Sequence, residues 1–208
     1  MPGRRVQRIP SAWPVLHLEA SVPSWNGLTV RGMVRHPRRW TLEDLKALGA
    51  VERREDIHCV WGWSELGHRW EGIPLSVLLD VCEPEGSWVT VVASSDSYSS
   101  CIPLEDAASG FLAWGLDGRP LAAERGGPMR YLPPAGYWAY KGVKWVAELV
   151  VVDRFAPGFW ESRVADPLGR IPSDVLIPQT TEHRSTASPA ESVTLGSAQS
   201  VESGESGE

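Results

Sequence analysis

The spacing of glycine and proline constrains this chain most. Seventeen prolines and 20 glycines punctuate 208 residues, so the elements between these breakers are short. Most of them carry strand patterns. "GLTVRGMVR" (27–35) alternates like a strand, and "DIHCVW" (56–61) alternates again, with Ile57, Cys59 and Trp61 on one face and Asp56, His58 and Val60 on the other. "WVTVVAS" (88–94) reads as a buried strand. "FLAWGLDGRPLA" (111–122) reads as strand, Asp117-Gly118 turn and strand. "PMRYLP" (128–133) and the long β-branched "VKWVAELVVVD" (143–153) are two more strands. Two helices interrupt them. "TLEDLKAL" (41–48) opens on Thr41 with Asp44 three residues on, the pattern of a capping box. "PLSVLLDVC" (74–82) has Pro74 at a favoured first-turn position and a Leu75, Leu78, Leu79 stripe. From Arg69 the chain reads as a turn leading into that helix. Many strands with few helices predict an α+β or mostly β domain rather than a βαβ series.

A hydrophobic content of 42% is enough for a core in a chain of single-domain length. The net charge of −6 is uneven, because 179–208 carries five Glu against one Arg. The rest is near neutral, which gives no electrostatic case for nucleic-acid binding. No run approaches the ~18 apolar residues of a membrane helix, so no membrane association is expected. The opening "MPGRRVQRIP" has an Arg pair without an apolar stretch behind it, and the reading is a cytoplasmic chain without an export signal. The expected organisation is a flexible arm at 1–12, one folded domain at 13–178 and a Ser/Glu-rich disordered tail at 179–208. Three cysteines (Cys59, Cys82, Cys101) without a CxxC pair make a disulfide framework or a zinc site a poor reading.

The chemistry candidates cluster around a lone thiol. Cys59 lies among His58, Trp61 and Trp63. It reads either as a small core hydrophobe or as a thiolate, nucleophile or soft-metal ligand. With no second cysteine nearby, a single thiolate makes sense if a cofactor brings the other ligands. His58 falls on the opposite strand face, which makes a Cys–His nucleophilic pair awkward. "ERGGPMR" (124–130) sets two glycines between Arg125 and Arg130, and "YWAYKGVKW" (137–145) sets Lys141 and Lys144 around a glycine among four aromatics. These four cations read either as solvated loop charges or as a site for a phosphorylated heterocycle. No Walker sequence and no GxGxxG after a strand is present, so a nucleotide is not the obvious ligand.

In order, "DIHCVWGWS", "RWEGIPLSVLLD", "IPLEDA", "GRPLAAERGGPMRYLPP", "YKGVKWVAELVVVD" and "PGFWE" resemble the molybdopterin-binding domain of the sulfite oxidase family, from about Trp13 to Glu161. The resemblance implies an α+β fold with mixed β-sheets and short helices around a cofactor cleft. It implies a molybdenum–molybdopterin cofactor, with Cys59 as metal ligand and the pterin dithiolene supplying two further sulfurs. Arg130, Gly142, Val143 and Lys144 are then pterin and phosphate contacts, with Ser94 and His17 as further contacts. Arg125 stands where the family often has a polar side chain; His58 and Lys141 complete the cofactor-binding set, and Tyr98 is a proton donor. The implied activity is two-electron oxygen-atom transfer with a small-molecule substrate and an unknown electron donor or acceptor protein. Two departures bear on substrate. No cation follows Cys59 in Val60–Ser64, where sulfite oxidases carry arginines, and "SRVADPLG" (162–169) lacks a Gly-Tyr-His stretch. No haem-binding domain and no second immunoglobulin-like dimerisation domain is expected. An aromatic wall of Trp61, Trp63 and Trp70 points to a neutral sulfoxide or N-oxide, reduced, rather than to sulfite. A cofactor-free relative serving as a binding or interaction module, and a metal-free cysteine enzyme, are the competing readings.

Overall fold

The computed structural model describes residues 7–8, 21–95, 98–164, 166–178 and 180. Two sheets carry the domain. In the first, β4 (Val51–Cys59) pairs antiparallel with β5 (Trp63–Pro74), β5 with β8 (Phe111–Leu116), and β8 with β10 (Arg130–Leu132). β1 (Gln7–Arg8) adds to β5 in parallel at Trp63–Ser64, inside the stretch expected as a flexible arm, and β9 (Arg119–Pro120) folds back on β8. The second sheet runs β3 (Arg38–Trp40), β2 (Leu28–Gly32), β11 (Val146–Val152), β6 (Trp88–Ala93), β7 (Ser99–Pro103). β11 is central, parallel to β2 and antiparallel to β6.

The helices are short and sit where the sequence dictates. Thr41 caps α1 (Leu42–Ala47): its hydroxyl accepts from Asp44 N at 3.1 Å while the Asp44 carboxylate accepts from Thr41 N at 2.9 Å. α2 (Leu75–Cys82) starts after Pro74, which is the cap rather than the first helical residue, and buries Leu75, Leu78, Leu79 and Cys82. α3 (Leu104–Ala107) is a single turn. The main core joins all three helices (Leu45, Leu78, Ala107) and the second sheet (Leu28, Val91, Leu149) to one face of the first sheet (Ile73, Leu112, Tyr131). A smaller cluster of Ile57, Trp70, Phe111, Ala113, Leu121 and Leu132 fills the other side. No helix among the described residues is long and apolar enough to cross a membrane.

Three features differ from the sequence reading. β5 is the longest strand, although its 69–73 portion reads as a turn. Its glycines are the reason: a Cβ at Gly72 would lie 2.0 Å from the Leu112 carbonyl oxygen, so only glycine lets β5 approach β8. β4 ends at Cys59, and Trp61 sits in the turn, 63% exposed, instead of sharing a strand face with Ile57 and Cys59. "WVTVVAS" alternates: Val89, Val91 and Ala93 are buried, while Trp88, Thr90 and Val92 are half-buried.

Candidate functional site

Cys59 is the last residue of β4, buried at 8% exposure, opposite Trp63 on β5. The hairpin turn closes there, with Gly62 N donating to the Cys59 carbonyl at 2.9 Å. Its neighbours His58 and Ser64 are cross-strand partners, with His58 Nδ1 and Ser64 Oγ 2.7 Å apart. Burial lowers the His58 pKa against an opposing pull from Asp56, so the ring is neutral at pH 7. His58 lines a cleft of about 280 Å³ whose walls come from 53–58 of β4 and from 130–142, including Arg130 and Gly142. Among the described residues no group of three His, Cys, Asp or Glu side chains is placed to hold a metal.

Beside the cleft three cations converge. Arg130, buried at 8% exposure, donates from its guanidinium to the Arg125 carbonyl at 2.9 Å and lies 5.7 Å from the Trp70 ring centroid. Burial, then the Arg125 charge, brings its pKa down to about 10. Burial, then Arg130 and Arg125, brings the Lys144 ammonium down to about 8. Lys144 Nζ donates to the Glu124 carbonyl at 2.9 Å. Like charges gathered at a half-buried place raise one another's energy, and an anion between them relieves it. The backbone is built for this convergence. Tyr131 and Val143 exchange hydrogen bonds at 2.8 and 3.2 Å, which sets Arg130 beside Lys144. A Cβ at Gly126 would press on Lys144 at 2.8 Å, so glycine is what admits the lysine. Gly127 packs against the Leu121 carbonyl, so a side chain there would clash with the protein's own backbone. Ser94 reaches the same region, its N–H donating to the Trp145 carbonyl at 2.8 Å, and its buried hydroxyl has no hydrogen-bond partner among the described residues. An orphaned hydroxyl and a cation cluster beside a cleft fit an extended anionic group.

This arrangement has a pH signature. Lys144 is charged below pH 8 and loses its proton above it, while a bound anion raises its pKa. Affinity of the cofactor-free protein for inorganic pyrophosphate is expected to hold below pH 8 and to fall by up to about tenfold per unit above it. Titration calorimetry from pH 6.5 to 9.5 checks this; a flat profile removes Lys144 from the anion site.

Lys141 differs from the sequence reading. Its side chain is fully buried, and its ammonium is spent on Glu161, the Cys101 carbonyl and the Pro167 carbonyl. Burial lowers its pKa and Glu161 opposes this. Lys141 thus braces the turn that carries Gly142, Val143 and Lys144 from behind. Trp70 is likewise core, with no exposure, and is not a pocket wall. Trp63 is half-buried. The exposed aromatic beside Cys59 is Trp61, whose ring meets Trp160 edge-on at 6.2 Å; Trp160 packs on Phe159 at 5.2 Å, and Phe159 on Tyr98 at 6.2 Å. Tyr98 donates its hydroxyl proton to the Tyr140 carbonyl, and burial, then Glu161, pushes its pKa far up, so it stays a neutral phenol. His17 lies outside the described residues. The sequence reading missed Glu161, Ser64, Phe159 and Trp160. "PGFWE" marked three of these as a motif, but only the fold shows Glu161 reaching back to Lys141.

Comparison with known proteins places the chain in a family. The family profile of the oxidoreductase molybdopterin-binding domain matches residues 15–160. The oxidoreductase YuiH of Bacillus subtilis (strain 168) is 34% identical over 167 residues, covering 74% of this chain and 81% of YuiH. The protein-methionine-sulfoxide reductase catalytic subunit MsrP of Ralstonia nicotianae is 27% identical, over 68% of this chain and 48% of its own length. The sulfane dehydrogenase SoxCD of Paracoccus pantotrophus superposes with a TM-score of 0.55 at 28% identity, over 66% of this chain and 40% of that one. The chain thus spans most of YuiH but about half or less of the other two. The matched segment holds Cys59, the cation cluster and every strand of both sheets except β1, and the chain belongs to the oxidoreductase molybdopterin-binding domain family, the sulfite-oxidase-like molybdopterin enzymes.

Proposed function

We propose that this oxidoreductase carries a molybdenum–molybdopterin cofactor and reduces a small neutral sulfoxide. The observation that carries the cofactor half is the convergence of Arg125, Arg130 and Lys144 on one another, with Arg130 lining a cleft that His58, the residue before Cys59, also lines. Arg130 and Lys144 would hold the phosphate, with Arg125 as a third positive charge; the Ser94 hydroxyl is available as a donor, and the Gly142–Val143 backbone borders the pterin. The Cys59 thiolate would ligate the metal, a soft donor for a metal that also takes dithiolene sulfur. Once bound, the cofactor supplies two-electron oxygen-atom transfer between Mo(VI) and Mo(IV).

The chain's own residues set the substrate. The turn after Cys59 offers Val60, Trp61, Gly62 and Trp63 and no cation. Trp61, Trp160 and Phe159 form an aromatic mouth suited to a polarisable sulfur group. The reduction takes two electrons and two protons, giving a thioether and water from the sulfoxide. MsrP, named a catalytic subunit of a methionine-sulfoxide reductase, supports this direction, and a separate redox protein would deliver the electrons. Arg163, with its guanidinium carbon 4.0 Å from the Phe159 ring centroid, favours a second reading in which a sulfite-like anion binds at the mouth.

The test is molybdenum and pterin content of protein expressed with molybdate, followed by turnover of methyl phenyl sulfoxide with reduced viologen and of sulfite with ferricyanide. About one molybdenum per chain and preference for the sulfoxide are expected. Trp61→Ala should raise KM for the sulfoxide about three- to tenfold at unchanged kcat. Faster sulfite oxidation than sulfoxide reduction selects the second reading, and no pterin in the wild type defeats both.

A further inference from the structure

The hairpin tip that carries Cys59 is short and set apart from the rest of its ladder. β4 and β5 pair regularly from Val51 to Glu55, and an irregularity follows between Glu55 and Ile57. Beyond it three register pairs lie before the turn: Ile57 with Glu65, His58 with Ser64, and Cys59 with Trp63. The loop between them is Val60 to Gly62. Gly62 takes a φ of +94° there and donates its N–H to the Cys59 carbonyl at 2.9 Å, a left-handed place that suits glycine. The turn closes the backbone of Cys59 on one side. On the other side stands the His58–Ser64 pair, with Nδ1 and Oγ 2.7 Å apart and the residues 7% and 0% exposed. Ile57, Cys59 and Glu65 are buried around it. A buried polar pair is a costly choice where two apolar side chains would also fill space. What it adds is geometry. Apolar contacts tolerate a shifted pairing, whereas this hydrogen bond is made in one register only. A slip of one residue would turn Cys59 to the face that His58 now takes.

We propose that His58 and Ser64 are positioning residues that lock the register of this hairpin tip and so present the Cys59 thiol to its metal in one fixed orientation. Neither touches the metal in this role; His58 acts through Ser64 and the shared backbone. The irregularity explains why the tip needs a mark of its own. It breaks the ladder, so the longer run of pairs before it does not fix the pairing after it. Ser64 is the better-held half, because β5 has β4 on one side and, through Arg8, β1 on the other. His58 is the half that is caught. Groups that orient a metal ligand change metal affinity about 10–100-fold when they are lost. The lock is a property of the chain itself, and its service to a metal rests on the cofactor reading above.

The test starts from the cofactor-free full chain under native conditions at neutral pH. Alkylation of Cys59 by iodoacetamide is followed by peptide mass spectrometry, with Cys82 and Cys101, both without exposure, as references in the same molecule. Ser64→Ala and the double variant His58→Leu with Ser64→Ala are expected to speed Cys59 alkylation about three- to tenfold, with Cys82 and Cys101 unchanged. The double variant should keep its unfolding midpoint near wild type, because no polar partner is left unpaired. A role in stability alone would therefore leave its Cys59 rate unmoved. His58→Asn, whose amide reaches the place of Nδ1, should stay within about twofold of wild type. Wild-type Cys59 rates in Ser64→Ala and the double variant overturn the lock. So do equal rises at all three cysteines, which mark general loosening, and so does His58→Asn reacting as fast as the double variant. In protein loaded in cells grown with molybdate, the double variant should hold roughly half or less of the wild-type molybdenum. Full molybdenum there overturns the service to the metal. Wild type without pterin overturns the cofactor reading instead, and the alkylation rates still decide the lock.

Discussion

Cys59→Ser is expected to cut turnover at least ~100-fold and to lower molybdenum content, with the fold kept. The lower bound follows from residues one step removed from a metal, whose loss alone costs about 10–100-fold. A direct ligand costs more, and a serine hydroxyl is a hard, protonated replacement for a soft thiolate. The structural cost is small by comparison. Cys59 ends a strand, its carbonyl closes the turn with Gly62, and serine preserves both. Placing a hydroxyl there costs about 1–3 kcal/mol if it finds no partner. The other two cysteines are the controls. Cys82 faces the core from α2 and Cys101 from β7, both without exposure, and burial raises both thiols. Cys82→Ser and Cys101→Ser should keep their molybdenum. Metal analysis beside steady-state rates decides it: a Cys59→Ser protein with full metal and wild-type turnover ends the ligand assignment.

The largest stability loss is expected from Glu161→Leu. The Glu161 carboxylate accepts from Ser100 Oγ at 2.8 Å, Cys101 N at 2.8 Å, Gly158 N at 2.7 Å and the Lys141 ammonium. Leucine leaves a fully buried ammonium beside an apolar side chain and strands three further donors. Breaking a buried pair from one side costs about 3–5 kcal/mol. For a domain of this size that is a fall of roughly 10 °C in Tm. Urea unfolding of the cofactor-free protein measures it, and a change below about 1 kcal/mol would show that Lys141 finds other partners or sheds its proton. The pair joins the turn before Gly142 to the segment that carries Phe159 and Trp160, so that aromatic segment loosens with it.

Local chemistry was readable where a residue's neighbours in sequence decide its state. The Thr41–Asp44 cap, the leucine stripe of α2 and the β-branched β11 all formed as their patterns predict. The Asp117-Gly118 turn did too, with positive φ at both residues. β5 was not readable, because "WSELGHRWEGIP" mixes charges and glycines whose purpose is set by β4 and β8 on either side. The same limit divided the lysines. Lys141 and Lys144 are three residues apart and identical in type, yet one meets Glu161 twenty residues on and the other meets Arg130 across a backbone pairing. Nothing local separates them. Trp61 and Trp70 divided likewise, since a two-residue difference in where β4 ends sends Trp61 into the turn, while Trp70 pairs with Leu116 deep in the sheet.

The central place of β11 has a consequence for how the molecule is made. Thr29 pairs with Glu148 and Val30 with Leu149 across most of the domain's length, and β6 borders β11 on its other side. A growing chain therefore completes β3–β2 and β6–β7 as two separate ribbons, each with one open edge waiting for the same absent strand. Contacts this distant in sequence form slowly, and open edges invite pairing with the wrong partner. Residues 130–142, which wall the cleft, are synthesised just before the strand that locks the ribbons together. Cleft and sheet are thus finished late, and a nascent chain has no closed second sheet until nearly all of the domain has left the ribosome.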